Sequence, residues 1–392
     1  MLSNGSGRFV ILSFLSMAND YDIGIVGGGL AGLCLSLLAA DAGYSVVLFE
    51  KEKYPFHKVC GEYISYESYD FLTLLGLPLA DMDLPEIKNL QVSDVSGRLY
   101  NFKLDSGGFG ISRYSIDDML YQLASKAGVA VFTEEKVTDI NFDHSNHIIQ
   151  SNKRKVTATI VAGAYGKRSN LDVKWKRSFV ERKPDKLNNY IGVKYHVRTD
   201  FPRNYIALHN FKNGYCGISA IEDDKYCLCY LTTADNLSAN GNSIQKMQEH
   251  ILYKNPVLKR LFTASEFLYD APLTISQISF DKKSQVENHV LMLGDAAGMI
   301  TPLCGNGMSM AMHASKLALV EINNFLKGDI SRFEMETNYT SAWKKYFALR
   351  LATGRLVQRC MGNNSTAFAL KLLHGLPFLG RNLIRATHGK PF

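Results

Sequence analysis

A doubly wound α/β domain, split by an inserted antiparallel β sheet and followed by a helical extension, is the fold class that the sequence predicts. Three observations predict it: a strand–glycine loop–helix–strand unit at Tyr21 to Glu50, short alternating strands from Tyr190 onward, and a renewed strand–turn–helix pattern at Val290 to Leu326. The dinucleotide-binding domain is expected to comprise 17–80, 105–175 and 285–330, with 81–104 and 176–284 forming a substrate domain. Residues 331–392 are expected to be a C-terminal helical region, and 1–16 a non-native or disordered extension, with Met17 as the start. The apolar run after Arg8 is too short for a signal segment and lacks a cleavage site.

In the first unit, Ile23 to Val26 reads as a buried strand, followed by Gly27, Gly29 and Gly32 in the spacing G-x-G-x-x-G. Gly27 permits the tight turn, Gly29 lets the backbone approach a pyrophosphate, and Gly32 lets the helix lie against the strands. The N-terminal N–H groups of that helix face the anion. Glu50, 18 residues after Gly32, stands where a carboxylate accepts both hydroxyls of an adenosine ribose. A bare glycine-rich turn explains the glycines but not the strand, helix and acid around them.

The composition suits a soluble globular protein: 392 residues, 46% hydrophobic and 21% charged. Seven cysteines without a C-x-x-C support neither a disulfide framework nor a zinc site, so no metal is expected and a reducing cytoplasm is the simplest home. The net charge of +7 is uneven: residues 331–392 hold ten Lys/Arg against two acids, so the remainder sums to −1. That pattern is a basic tail and speaks against nucleic-acid binding. No run approaches the length of a membrane span.

Beyond Glu50, residues 51–65 read as a loop in which Cys60-Gly61 is a point of close backbone approach. Residues 88–104 alternate as an antiparallel pair, and a helix runs from about Ser115, its expected cap, to Lys126, with Asp117 and Asp118 at its positive end. Val137 to Phe142 and Thr157 to Val161 are strands. Tyr190 to Thr232 then carries four short strands broken at Asn213-Gly and Glu222-Asp-Asp, an antiparallel sheet that supplies a substrate wall. Alternation sets Tyr226, Leu228 and Tyr230 on one face and Cys227, Cys229 and Leu231 on the other. After Val290 to Leu293, Asp295 ends a strand, and the Pro302-to-Gly307 turn presents bare N–H groups at a helix N-terminus.

Three motifs in order resemble the FAD-dependent oxidoreductases of the aromatic-hydroxylase and geranylgeranyl-reductase superfamily, over Tyr21 to Leu326. They are Gly27-x-Gly29-x-x-Gly32 with Glu50, the stretch Ala162-Gly-Ala-Tyr-Gly-Lys-Arg-Ser169, and Gly294-Asp295 with Pro302-x-x-Gly305-x-Gly307. Lys58-x-Cys60-Gly61 and Ser112-Arg113 look closer to the geranylgeranyl-reductase branch. The resemblance implies a Rossmann-type, glutathione-reductase-like fold and one non-covalent FAD. Glu50 would hold the adenosine ribose, and Gly29 with Ala31 would lie against the pyrophosphate. Asp295 would take a ribityl hydroxyl, with Gly305, Gly307 and Met308 at the isoalloxazine edge and Cys60-Gly61 beside the ring. Arg113 and the backbone of Val137 would contact the FAD.

Tyr165 stands where the family usually has Asp, which argues against efficient NAD(P)H use; NAD(P)H or another donor would bind transiently. The Trp-x-Trp-x-Ile-Pro pattern of flavin halogenases is absent. The implied reaction is flavin reduction of C=C bonds in an apolar or lipid-like substrate, with Cys60 as candidate acid. The alternatives are a monooxygenase acting on an aromatic or polyketide-like substrate and a non-catalytic electron-transfer flavoprotein. A monomer is expected.

In the tail, Trp343, Phe347 and Leu351 share one helical face, and Phe368, Leu372 and Leu376 share another, among Lys344, Lys345, Arg350, Arg355, Lys371, Arg381, Arg385 and Lys390. Either these helices pack on the substrate domain, or they form a basic amphipathic lid making peripheral contact with an anionic membrane.

Overall fold

The computed structural model describes residues 19–183, 188–301, 305–360, 362 and 365–392; the extension 1–16, Met17, Pro302 and Cys304 lie outside them. Five parallel strands form the centre of an eight-stranded sheet, in the order Val290–Met292, Lys155–Gly163, Tyr21–Val26, Val46–Phe49, Ala130–Phe132. Val286–Glu287 closes one edge, and the hairpin Val137–Asp143/Asn146–Ser151 joins Lys155–Gly163 by antiparallel pairing. The parallel strands are apolar along their buried stretches, where both faces are covered. Ile23, Ile25, Val47, Leu48, Ile160 and Leu291 are wholly buried with Leu33 of the Leu30–Asp41 helix.

The second sheet has nine strands, running Tyr190–Arg198, Tyr226–Thr233, Gly214–Ala220, Tyr205–Phe211, Glu86–Ser93, Leu99–Gly110 and Tyr63–Ser65, with Glu266–Phe267 and Leu273–Ile278 both on the first of these. Asn213, at φ 59°, turns the two-residue loop between Phe211 and Gly214. Tyr226, Leu228 and Tyr230 pack with Phe262 and Met247, while Leu231 joins a separate cluster on the other face. The sheet is not wholly antiparallel, as the sequence suggested: Tyr205–Phe211 runs parallel to Glu86–Ser93. Tyr63–Ser65 and residues 105–110, grouped by sequence with the dinucleotide domain, also belong to this sheet.

Of the C-terminal helices, Arg332–Cys360 packs on the main core rather than on the substrate domain, while Ser365–Gly375 and Pro377–Thr387 lie against the second sheet. Trp343, Phe347 and Leu351 are buried in the main core, whereas Phe368 is 74% exposed and Leu372 and Leu376 are also exposed.

Candidate functional site

The first motif builds an anion cradle. Gly27 sits at φ 107°, and a Cβ there would lie 2.5 Å from the Ala164 carbonyl oxygen. A Cβ on Gly32 would stand 2.0 Å from the Gly27 oxygen, so the helix can approach only as glycine. Gly29 caps the Leu30–Asp41 helix with no side-chain cap, leaving its N–H groups bare. Above Gly29, Arg113 Nη2 and Lys58 Nζ stand 3.5 and 3.7 Å from where a Cβ would be. Bare N–H groups under two cations fit a dianionic pyrophosphate.

Both cations are aimed by Asp117. Its carboxylate accepts from Arg113 Nε at 2.8 Å, Arg113 Nη2 at 2.7 Å and Lys58 Nζ at 2.9 Å. Burial alone would raise the Asp117 pKa, but Arg113 and Lys58 outweigh it and hold the group ionised below its ordinary value. Ser112, not Ser115, caps the Arg113–Lys126 helix by accepting from Ser115 N–H, so Asp117 is a buried counterion rather than a dipole partner. The i, i+4 spacing of Arg113 and Asp117 was the available sequence signal.

Glu50 is buried, and its carboxylate accepts from Gly28 N–H at 2.9 Å and Glu52 N–H at 3.1 Å. An ionised carboxylate has about four acceptor sites, so two remain for ribose hydroxyls. Tyr54 donates to the Gly28 carbonyl and stacks on Tyr121 with centroids 4.4 Å apart. Glu135 N–H bonds to the Glu50 carbonyl at 2.9 Å, which brings Val137, two residues on, to this end of the site.

The third motif lies against the first: a Cβ on Gly294 would meet both Ala31 and Ala311 at 3.4 Å. Gly294, Asp295, Gly298, Ile300 and Gly307 line a pocket with Met310 and Trp343. Gly305 is at φ 65°, and the Gly307–Leu326 helix starts uncapped, with Met308 buried behind it and the buried Asn306 Oδ1 lacking a partner. The bare N–H groups of the uncapped helix start, with the Asn306 Oδ1 and Asp295 carboxylate as acceptors, suit a polyol chain and the polar edge of a ring. Lys283, which no sequence signal marked, donates to the Asp295 and Lys167 carbonyls at 2.8 and 2.9 Å. Burial, only partly offset by Asp295 and Asp172, lowers its pKa to about 8.

Tyr165 belongs to a buried network. Its hydroxyl donates to Asp172 at 3.0 Å, and Arg177 bonds Asp172 at 2.8 Å and the Ala296 carbonyl at 3.1 Å. The carboxylate nearest Tyr165 is thus Asp172, and it is paired with Arg177.

Cys60-Gly61 bridges the two sheets. Cys227 Sγ donates to the Cys60 carbonyl at 3.1 Å, and Ser219 Oγ to the Gly61 carbonyl at 3.1 Å. A Cβ on Gly61 would meet nothing within 4 Å, so one side of this loop is open. Beneath it the wholly buried Glu62 binds Lys194, the Arg113 N–H at 2.7 Å and His196 Nε2 at 2.6 Å. Burial would raise the Glu62 pKa, but Lys194 and His196 pull it down to about 2. Glu62, His196 and Cys227 set one ligand atom each within 4.8 Å of one another, but the Lys194 ammonium already provides the cation there. This cluster had no sequence signal, because Glu62 is more than 130 residues from Lys194 and His196.

Among characterised proteins, the chain is 24% identical to Conditioned medium factor receptor 1 of Dictyostelium discoideum, covering 83% of this chain and 68% of that one. It is 23% identical to the Digeranylgeranylglycerophospholipid reductase of Methanosarcina acetivorans, covering 88% and 86%. The structure of the flavin-dependent brominase Bmp2 superposes with a TM-score of 0.75 at 20% identity, covering 94% and 93%, which is a likeness of fold. Residues 20–341 match the model of the FAD binding domain. With a bare glycine cradle, a buried acid after the second strand and an uncapped second helix in place, the chain belongs to this family of FAD-dependent oxidoreductases.

Proposed function

We propose that the protein is a reductase of C=C bonds in an apolar, lipid-like substrate. When bound, FAD supplies the hydride for such a reaction. The observation that carries the reading is the Lys58–Gly61 loop, which joins the anion cradle to the second sheet and leaves Gly61 open on one side. Lys58 holds the cofactor end, Cys60 and Gly61 are anchored through their carbonyls, and the open side admits a flat, apolar chain. The Asp172–Arg177 pairing supports the same reading, since no free carboxylate stands at Tyr165 to orient a nicotinamide. The lipid reductase of M. acetivorans, matched over most of both chains, agrees in class. A halogenase reading draws on the brominase fold; against it stands the absence of the Trp-x-Trp-x-Ile-Pro pattern of flavin halogenases.

In this reading the substrate arrives from an anionic lipid surface met by the exposed apolar and basic residues of the tail. The deciding experiment is anaerobic single turnover of dithionite-reduced holoenzyme with geranylgeraniol. Return of the oxidised flavin spectrum without oxygen, with a product heavier by two hydrogens per bond reduced, is expected. Reoxidation only after oxygen is admitted, with one oxygen atom appearing in the product, would overturn the reading in favour of a monooxygenase.

A further inference from the structure

A cavity of about 420 Å3, apart from the cofactor cradle, lies between the 57–62 loop, the start of the Arg113–Lys126 helix and the second sheet. Its wall carries a chain of hydrogen bonds. Tyr269 Oη lies 2.6 Å from His196 Nδ1 and 2.9 Å from His57 Nε2, and His196 Nε2 lies 2.6 Å from the Glu62 carboxylate. Glu62 is ionised and can only accept, so His196 Nε2 carries the hydrogen and Nδ1 faces the tyrosine. A buried carboxylate thus fixes an imidazole, which addresses a hydroxyl at a cavity wall, the order of parts in an acid–base triad. Burial pushes the Tyr269 hydroxyl up to about 12, so it is protonated at neutral pH, and burial with His196 and Lys194 lowers His57 to about 4, so it is neutral.

We propose that Tyr269, backed by His196 and Glu62, transfers a proton to or from a small planar ligand bearing an enol, enolate or phenol oxygen, bound in this cavity. His57 and Tyr114 stack at 4.6 Å and offer a flat wall. The charged lining residues Arg198, Lys225, Glu222 and Asp223 balance: Arg198 lies 3.6 Å from Glu266, Asp223 pairs with Lys225 at 3.0 Å, and Glu222 accepts from Ser112 and Ser115. The group left to meet a ligand oxygen is therefore the Tyr269 hydroxyl. The volume is that of a pocket for a single ring system.

In the step, the ligand O–H bond breaks as its proton passes to Tyr269 Oη, while the Tyr269 proton passes to the His196 Nδ1 lone pair. The ligand ends as an oxyanion, Tyr269 ends neutral and protonated, and His196 ends as an imidazolium beside the Glu62 carboxylate; the reverse step restores the enol or phenol. His196 and Glu62 are positioning residues here.

The test uses the FAD-loaded protein and 4-nitrophenol, whose absorbance reports both binding and ionisation. Saturable binding is expected in the wild type, with the ionisation midpoint of the bound probe shifted below its solution value. Tyr269→Phe keeps the ring, and it should weaken binding about tenfold or more and return the midpoint to the solution value. His196→Gln should do the same. Absence of saturable binding, or a Tyr269→Phe protein that binds and ionises the probe like the wild type, would overturn the proposal. The flavin spectrum is recorded in the same samples: its absence would sink the flavin reading, while the probe arm reports on Tyr269 alone.

Discussion

Asp117 carries more of the cofactor site than any glycine, because one carboxylate aims both Arg113 and Lys58 over Gly29. Replacing it by Asn leaves two part-buried cations beside each other without their counterion, a change that costs at most the about 3–5 kcal/mol of a broken buried pair. Asp117→Asn is therefore expected to lose most of its FAD on gel filtration and to unfold at lower denaturant. Full FAD retention would show that the two cations find their positions without it. Gly27, Gly29, Gly32 and Glu50 were legible from sequence because their job is local: a turn, an approach and a strand end within 30 residues. Lys58 and Asp117 are 59 residues apart, and pairing at that distance leaves no periodicity to read.

At the scale of elements, Glu62 ties the Cys60 loop and the Arg113 helix to the Tyr190–Arg198 strand through Lys194, His196 and the Arg113 N–H. Its pKa falls from an ordinary 4.5 to about 2 on folding. A depressed pKa stabilises the fold fully above the unfolded value, and that share is lost as pH drops from about 4.5 toward 2. Denaturant midpoints measured across this window should therefore fall steeply in the wild type. In Glu62→Gln the fall should be shallower, from a neutral-pH stability already about 3–5 kcal/mol lower because Lys194 is left unpaired. Identical acid limbs in the two proteins would remove Glu62 from this role. Strand existence and facing were readable here, since alternation shows in the sequence whichever neighbour a strand takes. The parallel pairing of Tyr205–Phe211 with Glu86–Ser93 was not, because alternation is the same for both directions.

Across the whole molecule, no helix among the described residues is long and apolar enough to cross a membrane. Of the large exposed hydrophobic side chains among them, eight of thirteen lie in the tail, among them Leu349, Leu356, Phe368 and Phe378. Exposed Lys345, Arg359, Lys371 and Arg381 lie on the same helices. Apolar and basic groups together suit an anionic bilayer surface. The protein is expected to float with phosphatidylglycerol vesicles at low salt, to be released at high salt, and to stay dense when 365–392 are removed. Sedimentation of the intact protein under every condition would end the membrane proposal. The tail's net charge was legible from composition, but which apolar face is covered depended on packing that no local pattern encodes. The Arg332–Cys360 helix has a consequence of its own. Tyr339 bonds the Met292 carbonyl at 2.6 Å and Trp343 presses on Gly298, while Leu349 and Leu356 of the same rod face outward. One helix therefore lines the Asp295 pocket with one face and meets solvent with another. A deletion beginning at 332 would take out a wall of that pocket along with the tail.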